Sequence, residues 1–349
     1  MNMSLFLTQS TMLYDSPSVG IFETIRMFFS DLTLFYFLAQ STMFFTIPLM
    51  IVALGGLFAE RSGIVNIALE GKMIMGAFAG TLFMHFFQDA LPGQLPLILG
   101  LLIGSLTGVI VSFFHAFASI NLKANQIISG VAINMFAPAF AIYVSRTVIN
   151  SQIITYNPSA FWISSVPLLG RIPFLGPLFF QNVFITTYIG FAILLLTAFV
   201  IYKTRFGLRL RACGEHPQAA DSVGISVTKM RYAGVLLSGA LAGLGGVVWI
   251  VPISRSFSGS VGGYGFLALA VLIFGAWRPI KILIGALLFG FMSTISASSA
   301  VIPFLAPLGI DASFYRMLPF VVTLIVLAFT SKKTAAPKAV GQPYDKSGR

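Results

Sequence analysis

The chain has 349 residues, of which 57% are hydrophobic and only 9% are Asp, Glu, Lys or Arg. Soluble domains carry roughly 25% charged residues, so a water-soluble globule is excluded and lipid has to cover this surface. The formal net charge of +11 does not indicate nucleic acid, because the basic residues lie between apolar runs and in the tail, where membrane topology puts them.

A bilayer core of about 30 Å asks for about 20 apolar residues per helix. Runs near residues 34–58, 73–87, 97–118, 127–147, 181–202, 231–251, 264–277, 282–298 and 314–331 supply that length repeatedly. Helices satisfy their own backbone groups where no water is present. The short alternating strands of a membrane β-barrel do not match the pattern. The expected fold is therefore all-α, a polytopic transmembrane helix bundle of nine to ten spans with a broken or re-entrant helix near 55–72. Two complete spans around 59–72 give nine crossings; a broken helix there, or a partial crossing within 21–40, gives ten. Residues 1–33 are an N-terminal segment suited to the membrane interface, and 34–331 form the membrane domain. Residues 332–349, with Pro337, Gly341, Pro343 and Gly348, read as a disordered tail.

Orientation follows from Lys and Arg. If the basic loop 203–230 is cytoplasmic, alternation puts Lys123, Arg278, Lys281 and the C-terminal tail on the same side, and Arg146, Arg171, Arg255 and Arg316 opposite. Small residues four apart, at Gly76/Gly80, Gly104/Gly108 and Gly239/Gly243, predict close helix contacts. Cys213 is alone, and His85, His115 and His216 show no metal-ligand spacing. Neither a metal nor a bound cofactor is expected.

Four segments stand out. In Gly56–Lys72, charged Glu60, Arg61, Glu70 and Lys72 sit beside long apolar runs, with Asn66 between them. Such groups pair or line an aqueous path, and glycines at 63 and 71 let a helix break, as transporters do around midplane sites. An ordinary polar loop with surface ion pairs is the plainer alternative. In Asn125–Asn134, Gln126, Gly130 and Asn134 recur every four residues and share one helical face. Amides suit a base or a sugar, or equally a neighbouring helix.

In loop 203–230, Pro217 suits a first helical turn and Gly224 the position past a helix end. About two turns lie between, offering Ala219, Ala220 and Val223 to a partner. So short a helix is marginal alone in water and should dock on something. The fourth segment, the glycine cluster in Gly262–Ile280, is no phosphate loop, because no Gly-Lys-Ser/Thr follows it. It allows close packing or a gate.

Together these segments resemble permease subunits of ABC importers in the branched-chain amino acid, ribose and nucleoside group, the resemblance being strongest to the nucleoside (guanosine) and simple-sugar branch. The residues that carry it are Glu-Arg-Ser-Gly-Ile-Val-Asn-Ile-Ala-Leu-Glu-Gly at 60–71, followed in order by Asn125–Asn134, Arg211–Val227 and Gly262–Pro279. The resemblance spans residues 40 to 330. It implies import by alternating access through the bacterial cytoplasmic membrane, with the C-terminus cytoplasmic. It also implies a second, related permease chain, a separate cytoplasmic ATPase that hydrolyses the ATP, and an extracellular substrate-binding lipoprotein. Glu60, Arg61, Asn66, Glu70, Gln126 and Asn134 would then lie along the translocation path. Arg211, Gly214, Glu215, Pro217, Ala220, Asp221 and Gly224 would form the coupling element received by the ATPase. The rival reading, a secondary transporter driven by an ion gradient, would rely on Glu60 and Glu70 as deep ionisable groups. A membrane-embedded enzyme would need a catalytic His/Asp cluster that the sparse acids do not supply.

Overall fold

The computed structural model describes residues 32–299, 302, 311–330 and 336–345. Residues 1–31, and with them nearly all of the expected interfacial segment, lie outside this description.

Helix α1 (Leu32–Arg61) is followed by a non-helical stretch at 62–68 and then by α2 (Leu69–Phe87). Helix α3 (Leu95–Ala116) runs on through a π turn at Phe117–Asn121, and α4 spans Gln126–Ile149. After an irregular segment come α5 (Ile185–Lys203), α6 (Arg205–Glu215) and the short α7 (Pro217–Ser222). Helix α8 (Val227–Trp249) is extended by a π turn at Ile250–Ser254, and α9 (Tyr264–Phe274), α10 (Pro279–Ser298) and α11 (Ala312–Thr330) complete the series.

Among the described residues, six helical stretches are long and apolar enough to cross a membrane: 32–61, 95–121, 126–149, 185–203, 227–254 and 279–298. The bundle is thus a helical membrane protein, with a count of clear spans below the nine to ten expected. Two of the missing spans have evident reasons. Helix α2 opens with Glu70 and Lys72, and α9 has only 11 residues, about 16 Å of rise, half of a bilayer core.

Helices α1 and α8 form the centre, with α8 packed against α3, α1 and α2. Lipid tails are as apolar as leucine, so close van der Waals contact has to hold such helices together. The glycine pairs supply it: Gly76 lies against Gly243, Gly104 against Gly76 and Gly243, and Gly108 against Gly239, leaving no room for a Cβ. Helices α2, α3 and α8 therefore meet backbone to backbone. At one end of the bundle the irregular segment and the chain just after α8 make two small antiparallel ribbons, β1 (Ile154–Thr155) with β4 (Ser256–Phe257) and β2 (Ile163–Ser165) with β3 (Gln181–Val183).

The opposite end gathers the ends of α1 and α9, the loop after α3, helices α6 and α7, and part of the C-terminal tail. Here the expectation of disorder is corrected for residues 336–345, the part of the tail that is described. Residues 336–345 are docked: Ala339 is buried and donates its N–H to Gly214 O at 2.9 Å, and Gly341 N–H reaches Gly63 O at 3.2 Å. Lys123 pairs with Asp345 at 2.6 Å. The Pro/Gly composition that suggested disorder serves instead for tight turns, with Gly341 at φ +79°.

Candidate functional site

The break between α1 and α2 is built by a turn that needs glycine. Ile64 N–H bonds Ala59 O at 3.2 Å and Gly63 N–H bonds Glu60 O at 3.0 Å. This is the paired capping pattern in which the residue past the helix end is left-handed; Gly63 fills that place at φ +97°. The chain then turns back into the bundle with its backbone groups unpaired by helix.

The amide face of α4 supplies their partners. Gln126 Oε1 accepts Val65 N–H at 2.7 Å, and Asn134 Oδ1 accepts Gly71 N–H at 2.8 Å while its Nδ2 donates to Ile67 O at 2.9 Å. Between them Gly130 lets α4 lie directly on Ile67 and Ala68. Of the two uses open to these amides, the structure displays the interhelical one: Asn134 caps a helix that starts inside the bundle and Gln126 pairs the non-helical stretch before it, where orphan N–H groups otherwise go unsatisfied.

Behind the break lies a buried polar cluster. Asn66 Nδ2 donates to Ser238 Oγ at 2.5 Å, and Asn66 Oδ1 accepts from the fully buried Lys72 Nζ at 2.7 Å. His115 contacts Val65 O through Nε2 at 3.2 Å and Ser129 Oγ through Nδ1 at 3.0 Å. A carbonyl only accepts, so Nε2 carries the ring hydrogen and the serine hydroxyl donates to Nδ1. Ser129, Ser238 and the inward aim of Lys72 and His115 were not singled out from the sequence. A histidine in the last turn of an otherwise apolar α3 was the one available signal.

The two glutamates hold opposite ends of α9. Glu70 is buried and accepts Gly263 N–H at 3.0 Å and Gly265 N–H at 2.6 Å, placing a carboxylate on the helix N-terminus where its dipole favours negative charge. Gly265 has no space for a side chain, because Glu70 backbone lies against it. At the other end Glu60 Oε2 accepts Trp277 Nε1–H at 2.6 Å, and Arg61 Nη2 donates to Trp277 O at 3.0 Å. Ala276 and Trp277 there have φ of +50° and +53°, a conformation that non-glycine residues adopt at a cost and that these bonds hold in place. Trp277 is a partner sequence reasoning missed. A half-length helix tied at both ends to the break resembles the discontinuous helices of transporter sites.

The residues expected to form a coupling element continue from there. Gly214 lies against Arg61 backbone, and Arg61 Nη1 pairs with Glu215 Oε1 at 3.6 Å. Arg211 covers the ring of Tyr202 at 5.8 Å and donates from Nε to Gly207 O at 3.4 Å. Pro217 opens α7 at its first turn. Gly224, at φ +82°, closes it with the same paired cap, Ile225 N–H to Ala220 O at 3.0 Å and Gly224 N–H to Asp221 O at 2.9 Å. Of the three residues expected to face a partner, Ala219 and Val223 are exposed, whereas Ala220 turns inward onto Cys213 and Val227. Helix α6, ahead of α7, was not anticipated. Burial pushes the Cys213 thiol up to about 11.

The sequence that builds this arrangement is matched by known proteins. Residues 38–327 match the family described as branched-chain amino acid transport system / permease component. The chain belongs to this family. It is 42% identical over 313 residues to the guanosine ABC transporter permease protein NupQ of Bacillus subtilis (strain 168), covering 89% of this chain and 97% of that one. It is 40% identical to the nucleoside ABC transporter permease protein NupC of Lactococcus lactis subsp. cremoris (strain MG1363), with 89% and 97% covered. A second Bacillus subtilis protein, the guanosine ABC transporter permease protein NupP, is 27% identical over 249 residues, or 70% of this chain and 69% of that one. The sequence resemblance is thereby borne out, and the chain is a membrane permease component of a transport system.

Proposed function

We propose that this permease imports nucleosides, or related simple sugars, by alternating access, powered by ATP that a separate cytoplasmic subunit hydrolyses. The observation carrying this reading is the 42% identity that extends over 97% of a guanosine permease, joined to a polar break buried within the bundle. A related second permease is the expected partner: Bacillus subtilis has two permeases of guanosine, to which this chain is 42% and 27% identical. An extracellular binding lipoprotein would deliver the substrate.

In this reading α2, α9 and α11 add crossings to the six clear spans, α9 as a half-helix, and the end bearing α6, α7 and residues 336–345 faces the cytoplasm of a bacterial cell. The ATPase receives α7, with Ala219 and Val223 exposed to it. Motion passes from Gly214 and Glu215 to Arg61, from Arg61 and Glu60 to Trp277, and along α9 to Glu70. Glu60, Arg61, Asn66, Glu70, Gln126 and Asn134 frame the translocation path by holding the break open to neither side. An import step needs contacts that differ between two states, and the Arg61–Glu215 pair is placed to be one of them.

The test is mass spectrometry of proteins that co-purify with the chain from its native membrane in mild detergent. An ATPase and a second permease are expected. Recovery of this chain alone, active with an ion gradient, would instead favour a secondary transporter.

A further inference from the structure

The docked tail joins parts of the molecule that the proposed cycle has to move. Within ten residues it touches α6 through Ala339 and Gly214, the break through Gly341 and Gly63, the start of α8 through Gln342 O and Arg231 Nη1 at 3.0 Å, and the loop after α3 through Asp345 and Lys123. Its Tyr344 ring packs against the cluster of Cys213, Ala220 and Val227 beneath α7, and the Arg231 guanidinium lies over that ring at 5.9 Å. Lys338 N–H reaches Glu215 Oε2 at 3.5 Å, on the side chain that also meets Arg61.

The seat is a weak one. Fixing ten backbone residues opposes docking at every residue, and it is offset by hydrogen bonds, one exposed ion pair, the Arg231–Tyr344 contact and a small apolar contact. The tail also encloses a charge it does not satisfy. Arg231 is 2% exposed, yet its Nε and Nη2 have no partner among the described residues, and a buried cation without its full set of acceptors is unfavourable. Once the tail leaves, water can reach that guanidinium.

We propose that residues 336–345 are a releasable latch that holds the coupling helix to the break in the state described here and has to let go before the two can move apart. The proposal rests on the reading of α7 as the ATPase-docking helix. A rigid strap would be expected to give its buried arginine an acceptor at every nitrogen; a latch that opens in each cycle gains from leaving Nε and Nη2 without one among the described residues.

The experiment uses the complete transporter in lipid nanodiscs. Spin labels are placed at exposed Lys203→Cys and Lys338→Cys in a Cys213→Ala background, and the distance between them is measured by pulsed electron paramagnetic resonance, nucleotide-free and vanadate-trapped. A narrow distribution without nucleotide that becomes broad and longer on trapping is expected. In parallel, truncation after residue 335 is expected to raise ATP hydrolysis without substrate about tenfold, the scale of one lost net hydrogen bond. If the truncated chain fails to assemble, Tyr344→Ala, which removes only the ring under α7 and over Arg231, takes its place with the same expected direction. A distance unchanged by trapping, or a hydrolysis rate unchanged by both variants, overturns the latch. Either result in a complex that imports normally leaves the α7 reading standing. Conversely, normal coupling after Asp221→Lys removes the α7 reading while the distance measurement still decides the latch.

Discussion

The break at residues 62–68 and the proposed coupling end at residues 205–224 both interrupt the long helices, and they are held in opposite ways. At the break, backbone groups left free by helix find side-chain partners from α4, deep in the bundle, Gln126 for Val65 and Asn134 for Ile67 and Gly71, while the Asn66 side chain donates to Ser238 of α8. At the proposed coupling end, α7 caps itself with Gly224 and packs inward through Ala220, while Glu215 at the end of α6 links outward through a partly exposed ion pair and the edge of the tail. The difference fits the two jobs proposed for these regions. A frame around a path has to keep its shape in lipid, where unsatisfied groups are expensive, while an element that receives a partner has to be able to shift.

The largest expected effect tests the frame. Asn134→Leu strands both Gly71 N–H and Ile67 C=O, and should destabilise the folded protein by about 2–5 kcal/mol, read as the midpoint shift in a denaturing detergent titration, with uptake lost. A shift no larger than that of a lipid-facing control such as Leu195→Ala would mean that the frame does not depend on this amide. Next, Glu70→Gln keeps the shape but removes the charge at the start of α9 and one acceptor, and should cost about 1–2 kcal/mol. Uptake should fall further than stability if α9 carries motion.

At the coupling end the balance reverses. Reversing charge at Glu215 and Asp221 together should change stability by less than about 1 kcal/mol, since the Arg61–Glu215 pair is partly exposed. Uptake per ATP hydrolysed should nevertheless fall roughly fivefold or more, the scale of a typical coupling energy. An unaltered ratio would remove the docking role. The smallest effect concerns Cys213, the only cysteine in the chain. Alkylation needs the thiolate, so with the thiol pushed up to about 11 its rate should still be climbing above pH 9, and Tyr344→Ala should bring that rise to lower pH. A rate that levels off near pH 8 in the parent protein would mean that the thiol is not buried.

Much of this was legible in the sequence because it is local. Gly63, Pro217 and Gly224 mark helix ends through backbone geometry, and the four-residue spacing of Gln126, Gly130 and Asn134 places them on one face whatever they contact. The glycine pairs likewise announced close packing, though not that Gly76, Gly104 and Gly243 meet together. Partners far along the chain were not legible. Trp277 offers Glu60 an indole N–H and Arg61 a carbonyl, and carbonyls leave no mark in a sequence. The tail misled for the same reason: it is held largely by its backbone at Ala339, Gly341 and Gln342, so its polar, Pro/Gly-bearing composition carried no sign of docking. Helix α9 was read as part of an ordinary span because its apolar run continues to Trp277, beyond the point where the helix stops.

The most direct test of the account is ATP-dependent uptake of radiolabelled guanosine into proteoliposomes that hold this chain with its co-purifying ATPase, second permease and binding protein. The account predicts uptake that requires ATP, survives collapse of proton and sodium gradients, and is competed by nucleosides rather than by leucine. Uptake that proceeds without ATP and disappears when an ion gradient is dissipated would contradict it.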